Sequence, residues 1–175
     1  MKNRTNRILI AAIIILTATT ALAAYLNFSG ANDRMALAEK AEILVKNGGE
    51  LRYTLDMEKF EAIGLSDFNA NLNSDESDPV KHSYTGAPLI DVLEAAGISL
   101  DQASQINILS ADGYMVALTA GEAEAMNNVY LVIKQDGEYL GTIEDKDGKG
   151  PYMIVVRSDP FSQRWAKFVC EIDVI

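Results

Sequence analysis

Residues Tyr84 to Gly97, YTGAPLIDVLEAAG, read as a strand end, a glycine turn and a short helix. Gly86 suits the turn, and Pro88 suits the first helical turn, where a missing N–H costs nothing. Leu89, Val92, Leu93 and Ala96 recur at helical spacing, so one face is apolar. Gly97 stands where a left-handed C-cap residue is wanted. A helix this short is not stable alone, so a sheet is expected beneath it.

Upstream, Ile43–Val45, the Gly48-Gly49 pair and Leu51–Leu55 predict a β-hairpin. Asp56 is placed to cap a helix over MEKFEAIG that ends at Gly64. Ser66 to Lys81 is less regular. Phe68, Ala70 and Leu72 alternate with polar residues as in a half-buried strand, Asn73 to Pro79 reads as a polar loop, and Val80 to Tyr84 as the return strand.

Downstream, Ile106–Leu109 and Tyr114–Leu118 flank Asp112-Gly113, a hairpin signal. Thr119 with Glu122 forms a capping-box pattern for a helix reaching Met126. Val129–Lys134 and Glu138–Leu140 flank a second Asp-Gly pair, Asp136-Gly137. Strands are expected at Tyr152–Arg157 and Lys167–Val174. Short strands mixed with short helices define an α+β domain with a mixed or predominantly antiparallel sheet.

The central stretch, SADGY at Ser110–Tyr114, Gly150-Pro151 and the closing AKFVCEIDVI together resemble the molybdopterin-binding domain of the sulfite-oxidase type. The similarity runs from about Ala41 to the C-terminus. In that family an aromatic-x-Gly-x-x-Leu helix, a DGY hairpin, a Gly-Pro before a hydrophobic strand and a terminal Lys-aromatic strand follow in this order. The resemblance implies the sulfite-oxidase-like fold. It also implies a molybdenum held by one cysteine thiolate upstream of the helix, with arginines and a histidine on the pterin and its phosphate.

The matching region here, Phe68 to Tyr84, contains no cysteine and no arginine, and it carries Asp75, Glu76 and Asp78. Tyr152 and Met153 follow the Gly-Pro, where the family usually offers an arginine. The expectation is therefore a retained scaffold without molybdenum chemistry: a non-catalytic binding or interaction module, with no cofactor. Its groove would be lined from Asn73–Tyr84, the Asp112–Tyr114 turn and the strand after Pro151. His82, Asp112, Tyr114 and Lys167 are the candidate binding residues, with Arg164 and Trp165 as a possible frame. Two alternatives are a molybdopterin-dependent oxidoreductase with a non-cysteine ligand, and a structural envelope domain without a small ligand.

No catalytic residue or metal ligand is assigned. Cys170 is expected to be a buried thiol on a strand face shared with Phe168, Ile172 and Val174. His82 is the only histidine, so no Ser-His-Asp set can be built around a second one, and its neighbours in sequence are Asp75, Glu76 and Asp78. Glu144, Asp145, Asp147 and Gly148 faintly resemble a calcium loop, but Ile143 and Ile154 occupy ligand positions, which leaves a solvated turn.

Lys2, Arg4 and Arg7 precede an apolar run, Ile8–Leu16, and then Ala21-Leu22-Ala23, the layout of a secretory signal over residues 1–23. The 21 residues Ile8 to Phe28 are also long enough to anchor in a bilayer. Both readings place the rest outside the cytoplasm, with 24–40 as a tether (helical from Arg34 to Lys40) and 41–175 as the domain. The chain has 25 acids against 15 Lys and Arg, for a net charge of −10. Without residues 1–23 the basic residues fall to 12 and the charge to −13. That balance argues against nucleic acid or an anionic membrane surface as a partner; the expected partner is a small ligand or an envelope protein. One cysteine allows no internal disulfide, so stability rests on a packed core.

Overall fold

Helix α1 spans Lys2–Glu39 in the computed structural model, which describes residues 2–74 and 77–175. From Ile8 on, it is long and apolar enough to cross a membrane, by length and composition alone. The chain divides into two units, Met1–Asp33 and Arg34–Ile175. Residues 24–39 continue the helix, and its last turn belongs to the second unit, where Ala38 is buried with Ala111 and Cys170.

Gly48 and Gly49, both at positive φ, turn β1 (Ile43–Asn47) into β2 (Glu50–Leu55). Asp56 then accepts the Lys59 N–H and starts α2 (Met57–Ile63), which buries Phe60. Strands β3 (Ser66–Ser74) and β4 (Ser77–Pro88) pair antiparallel, ahead of α3 (Leu89–Ala95). Next come β5 (Gln105–Ser110), β6 (Met115–Thr119), α4 (Ala120–Glu124), β7 (Val129–Gln135) and β8 (Glu138–Tyr139). Strand β9 (Met153–Val156), a 3-10 turn at Ser162–Arg164 and β10 (Val169–Val174) complete the unit.

The strands form two sheets. One has the order β2-β1-β10-β5-β6, with β1 parallel to β10 and its other pairs antiparallel. The other runs β3-β4-β7-β8, with β9 also on β7, and is antiparallel throughout. This is an α+β unit with mixed and antiparallel sheets. Strands β7 and β9 are buried along nearly their whole length, as their continuous apolar runs require. Helix α3 packs on β7 with Leu89, Val92 and Leu93 fully buried, each worth about 1.5–3 kcal/mol.

Both Asp-Gly hairpins form. Asp136 and Gly137 both take positive φ, and the Asp112 carboxylate accepts the Tyr114 N–H. The capping box of Thr119 and Glu122 is complete, and Gly97 adopts φ +70°.

Several expectations need correction. Asn73 to Pro79 is mostly hairpin rather than loop: Ser74 pairs with Ser77, and Asp75 and Glu76 lie outside the described residues. Pro79 is tolerated in β4 because β7 joins β4 only from Tyr84 onward, leaving the outer edge at Pro79 unpaired in the ladder. Gly86 sits in a strand rather than a turn. A Cβ there would lie 2.1 Å from the Leu131 carbonyl oxygen, so glycine is needed for the close approach of β4 to β7. Pro88 ends β4 and occupies the N-cap of α3.

Cys170 does not share a face with Ile172 and Val174. The β10–β5 register shifts between Val169 and Glu171, and this bulge sends Cys170 toward Ala38, Met35 and Phe168, while Ile172 and Val174 join the main core.

Candidate functional site

At the β3 edge of the second sheet lies a cleft of about 1230 Å³. Asn69, Asn71 and Asn73 come from β3 and Pro79 and Lys81 from β4. Glu122 comes from α4, Met126 to Asn128 from the α4–β7 connection, and Arg157 to Pro160 from the chain after β9.

Backbone-directed amides hold the walls. Asn73 donates from Nδ2 to the Pro160 carbonyl at 2.6 Å, and its N–H donates to the Ser162 hydroxyl. Asn128 donates to the Glu122 carbonyl at 2.9 Å and accepts the Ser158 N–H at 3.0 Å. Arg164 stands behind the lining. It donates to Glu122 at 2.7 Å and to both carboxylate oxygens of Asp159. That bond, with the Thr119 N–H, holds the Glu122 carboxyl down at about 2. Arg164 thus answers both acids of the lining.

The two cations in the lining are disposed differently. Arg157 donates to the Asn127 carbonyl at 2.8 Å, and its guanidinium lies 5.7 Å from the Phe68 ring centroid. Lys81 is exposed on β4 opposite Asn71. Among the described residues neither pairs with an acid.

The candidates named from sequence lie elsewhere. His82 follows Lys81 on β4, and alternation along a strand turns the two side chains to opposite faces. Its Nδ1 meets Asp136 Oδ2 at 2.6 Å and Gln135 Nε2 at 3.0 Å, while Lys149 donates to Gln135 at 2.6 Å. The acidic partner of His82 among the described residues is Asp136, from the β7–β8 turn; Asp75 and Glu76, near it in sequence, lie outside the described residues. The Asp136 carboxyl is lowered first by the Ser83 N–H and then by His82.

Lys167 is exposed; its charge, after burial, lowers the pKa of Lys149. Phe168 N–H donates to the Lys149 carbonyl, which sets these two stretches side by side. Asp112 and Tyr114 lie in the β5–β6 turn of the first sheet, where the Tyr114 hydroxyl donates to the Gln163 carbonyl. None of His82, Asp112, Tyr114 and Lys167 lines the cleft. Trp165 is buried, donates to the Val156 carbonyl and meets the Tyr84 ring edge-on. The Tyr84 hydroxyl is buried with no partner among the described residues, and burial pushes its phenol up to about 12.

Asn69, Asn71 and Asn127 are not among the candidates drawn from the sequence, where Arg157 stands only as the end of the expected strand Tyr152–Arg157. Their one legible trace is the period-2 run of asparagines in FNANLNS, Phe68 to Ser74. Nothing local points to Asn127, which the β7–β9 pairing brings to the same wall as Arg157.

No family model matches the chain, and no curated protein matches it. Among solved structures it is similar to the sulfane dehydrogenase SoxCD from Paracoccus pantotrophus, with a TM-score of 0.61 and 16% identity. The match covers 76% of this chain and 37% of that one, so this chain spans little more than a third of that structure's chain. Identity this low supports a distant relation, carried by the fold.

The donor set can be tested against a thiolate-held molybdenum. Among the described residues the lining holds no cysteine, and its one sulfur is the thioether of Met126. Cys170 is fully buried in the other sheet, its thiol donates to the Leu109 carbonyl, and burial pushes it up to about 12. The residues present do not fit that group.

Proposed function

We propose that Arg34–Ile175 is an extracytoplasmic, non-catalytic binding module on a sulfite-oxidase-type scaffold, secreted or tethered by the apolar N-terminal helix. Its cleft binds a polar ligand between β3, the α4–β7 connection and the chain after β9. One observation carries the reading: the scaffold motifs are present, yet the single thiol is sealed beneath the end of α1 and cannot reach the cleft. The resemblance of Tyr84–Gly97, Ser110–Tyr114 and the C-terminal strand supports the scaffold assignment, as does the likeness to SoxCD. Shared fold does not carry activity with it.

The likeness to a dehydrogenase favours a second reading, a molybdopterin-dependent oxidoreductase with a non-cysteine ligand. Metal analysis and pterin fluorescence of the protein purified from a molybdenum-sufficient host separate the two. Metal-free protein is the expected result; stoichiometric molybdenum with pterin would overturn the binding-module reading. Fractionation of the producing cell tests the placement, since recovery in the cytoplasm would contradict it.

A further inference from the structure

We infer that α1 is a retained bilayer span, its apolar surface covered by lipid acyl chains. Its Lys2 end stays in the cytoplasm, and no signal peptidase removes it. The inference rests on the extracytoplasmic placement proposed above, and it decides between secretion and tethering.

Length is the first argument. No charged residue occurs from Ile8 to Asn32, and apart from three threonines and Tyr25 every residue from Ile8 to Leu26 is apolar. A secretory signal needs an apolar run of only about 7–15 residues. The 21 residues from Ile8 to Phe28 rise about 31 Å as a helix, against a hydrocarbon core of about 30 Å.

Continuity is the second. Neither glycine nor proline occurs before Gly30, and the helix runs unbroken through Ala21-Leu22-Ala23 to Glu39. The cleavage pattern thus lies inside regular helix, where its backbone is hydrogen-bonded along the axis. A peptidase that takes an extended chain would first have to unwind it.

The surface of the helix matches lipid on all sides. Ile13, Ile14, Ile15 and Leu16 are all exposed, and four consecutive residues cover the whole circumference. A helix lying on a soluble domain needs only one apolar stripe, whereas one that is apolar all round needs an apolar solvent. The hydroxyls within the run are satisfied by the helix itself. Thr17 donates to the Ile13 and Ile14 carbonyls at 3.0 and 2.9 Å. Thr19 and Thr20 donate to the Leu16 carbonyl at 2.9 and 2.8 Å. No hydroxyl of the three is left to oppose entry into hydrocarbon.

The ends fix the direction. Lys2, Arg4 and Arg7 precede the run, and Asp33 is the first charge after it. An excess of Lys and Arg keeps its own end in the cytoplasm, which sends Arg34–Ile175 outward. Tyr25 and Phe28, both exposed, stand near the far end, where aromatic side chains favour the membrane–water interface.

The test uses the full chain, expressed with its own N-terminus in an exporting bacterial host. Membranes are washed in high salt and alkaline carbonate and then extracted in mild detergent. The detergent extract should hold at least tenfold more of the protein than the washes, because only loss of the bilayer frees a span. Its intact mass should include residues 2–23, and protease added to spheroplasts should degrade the domain. Ala23→Leu spoils the cleavage pattern and lies outside the second unit, so it should change neither the N-terminus nor the distribution. An N-terminus at Ala24, release in the washes, or an Ala23→Leu variant that keeps a segment the parent loses would each overturn retention. Those outcomes leave the extracytoplasmic placement standing. A domain protected in intact spheroplasts would overturn that placement and the orientation with it, so the two failures are distinguishable.

Discussion

Arg164 reaches across to Glu122 with a 2.7 Å hydrogen bond, joining the 3-10 turn after β9 to the first turn of α4. The same guanidinium grips Asp159, so one half-buried side chain ties two walls of the cleft together. Arg164→Gln leaves both carboxylates short of a partner. It should cost about 0.5–1.5 kcal/mol, between the values for exposed and buried pairs because Arg164 is partly exposed, and be read as a shift in the urea midpoint. An unchanged midpoint would show that the bond adds nothing.

The same pair sets a pH dependence. Glu122 is held at about 2 in the folded protein against an ordinary 4.5, so folding favours its charged form. This contribution is fully present above pH 4.5 and is lost as pH falls from 4.5 through 2. Urea midpoints measured across that window should fall less steeply in Glu122→Gln than in the parent protein. Parallel curves would show that other carboxylates govern the acid limb.

Glycines at 86 and 121 should respond in opposite senses to alanine. A Cβ at Gly86 meets the Leu131 carbonyl at 2.1 Å and the Val132 Cα at 2.7 Å, both backbone atoms that cannot step aside. Gly86→Ala should cost about 3 kcal/mol or more, or yield no soluble protein. At Gly121, in α4, nothing lies within 4 Å, and Gly121→Ala should stabilise by about 0.5–1 kcal/mol. Thermal melts of the two variants make the comparison.

Two buried tyrosines offer a second contrast. The Tyr84 hydroxyl has no partner among the described residues, whereas Tyr152 donates to the Ala41 carbonyl at 3.0 Å. Tyr84→Phe should be neutral or stabilising by up to about 1 kcal/mol, and Tyr152→Phe should cost about 1 kcal/mol. Equal losses in chemical denaturation would mean that Tyr84 has a partner in solution.

Cys170 should resist a thiol reagent at pH 8 in native protein and react readily once unfolded. Full burial excludes the reagent, and a thiol pushed up to about 12 holds almost no thiolate at that pH. Rapid native labelling would place the thiol in reach of solvent and reopen it as a ligand.

Local chemistry made much of the fold legible in the sequence. Asp-Gly and Gly-Gly turns, the Thr119–Glu122 box, the Asp56 cap and the apolar stripe of Leu89, Val92 and Leu93 all act within a few residues, and each forms as read. Features that depend on a distant neighbour were not legible. Gly86 looked like a turn residue because its need for a missing Cβ comes from Leu131, and Cys170 kept its expected face only until a bulge against β5 displaced it.

The candidate site divides the same way. Sequence alone determined that Phe68–Tyr84 carries no thiol or guanidinium and that the chain is strongly acidic, because those are facts of composition. Only the tertiary structure decided that Lys81 faces the cleft while His82 turns to Asp136, and that Arg157 and Asn127 meet β3 at one wall. Strand alternation and β7–β9 pairing join residues far apart in the chain, and no local pattern records which of them will meet.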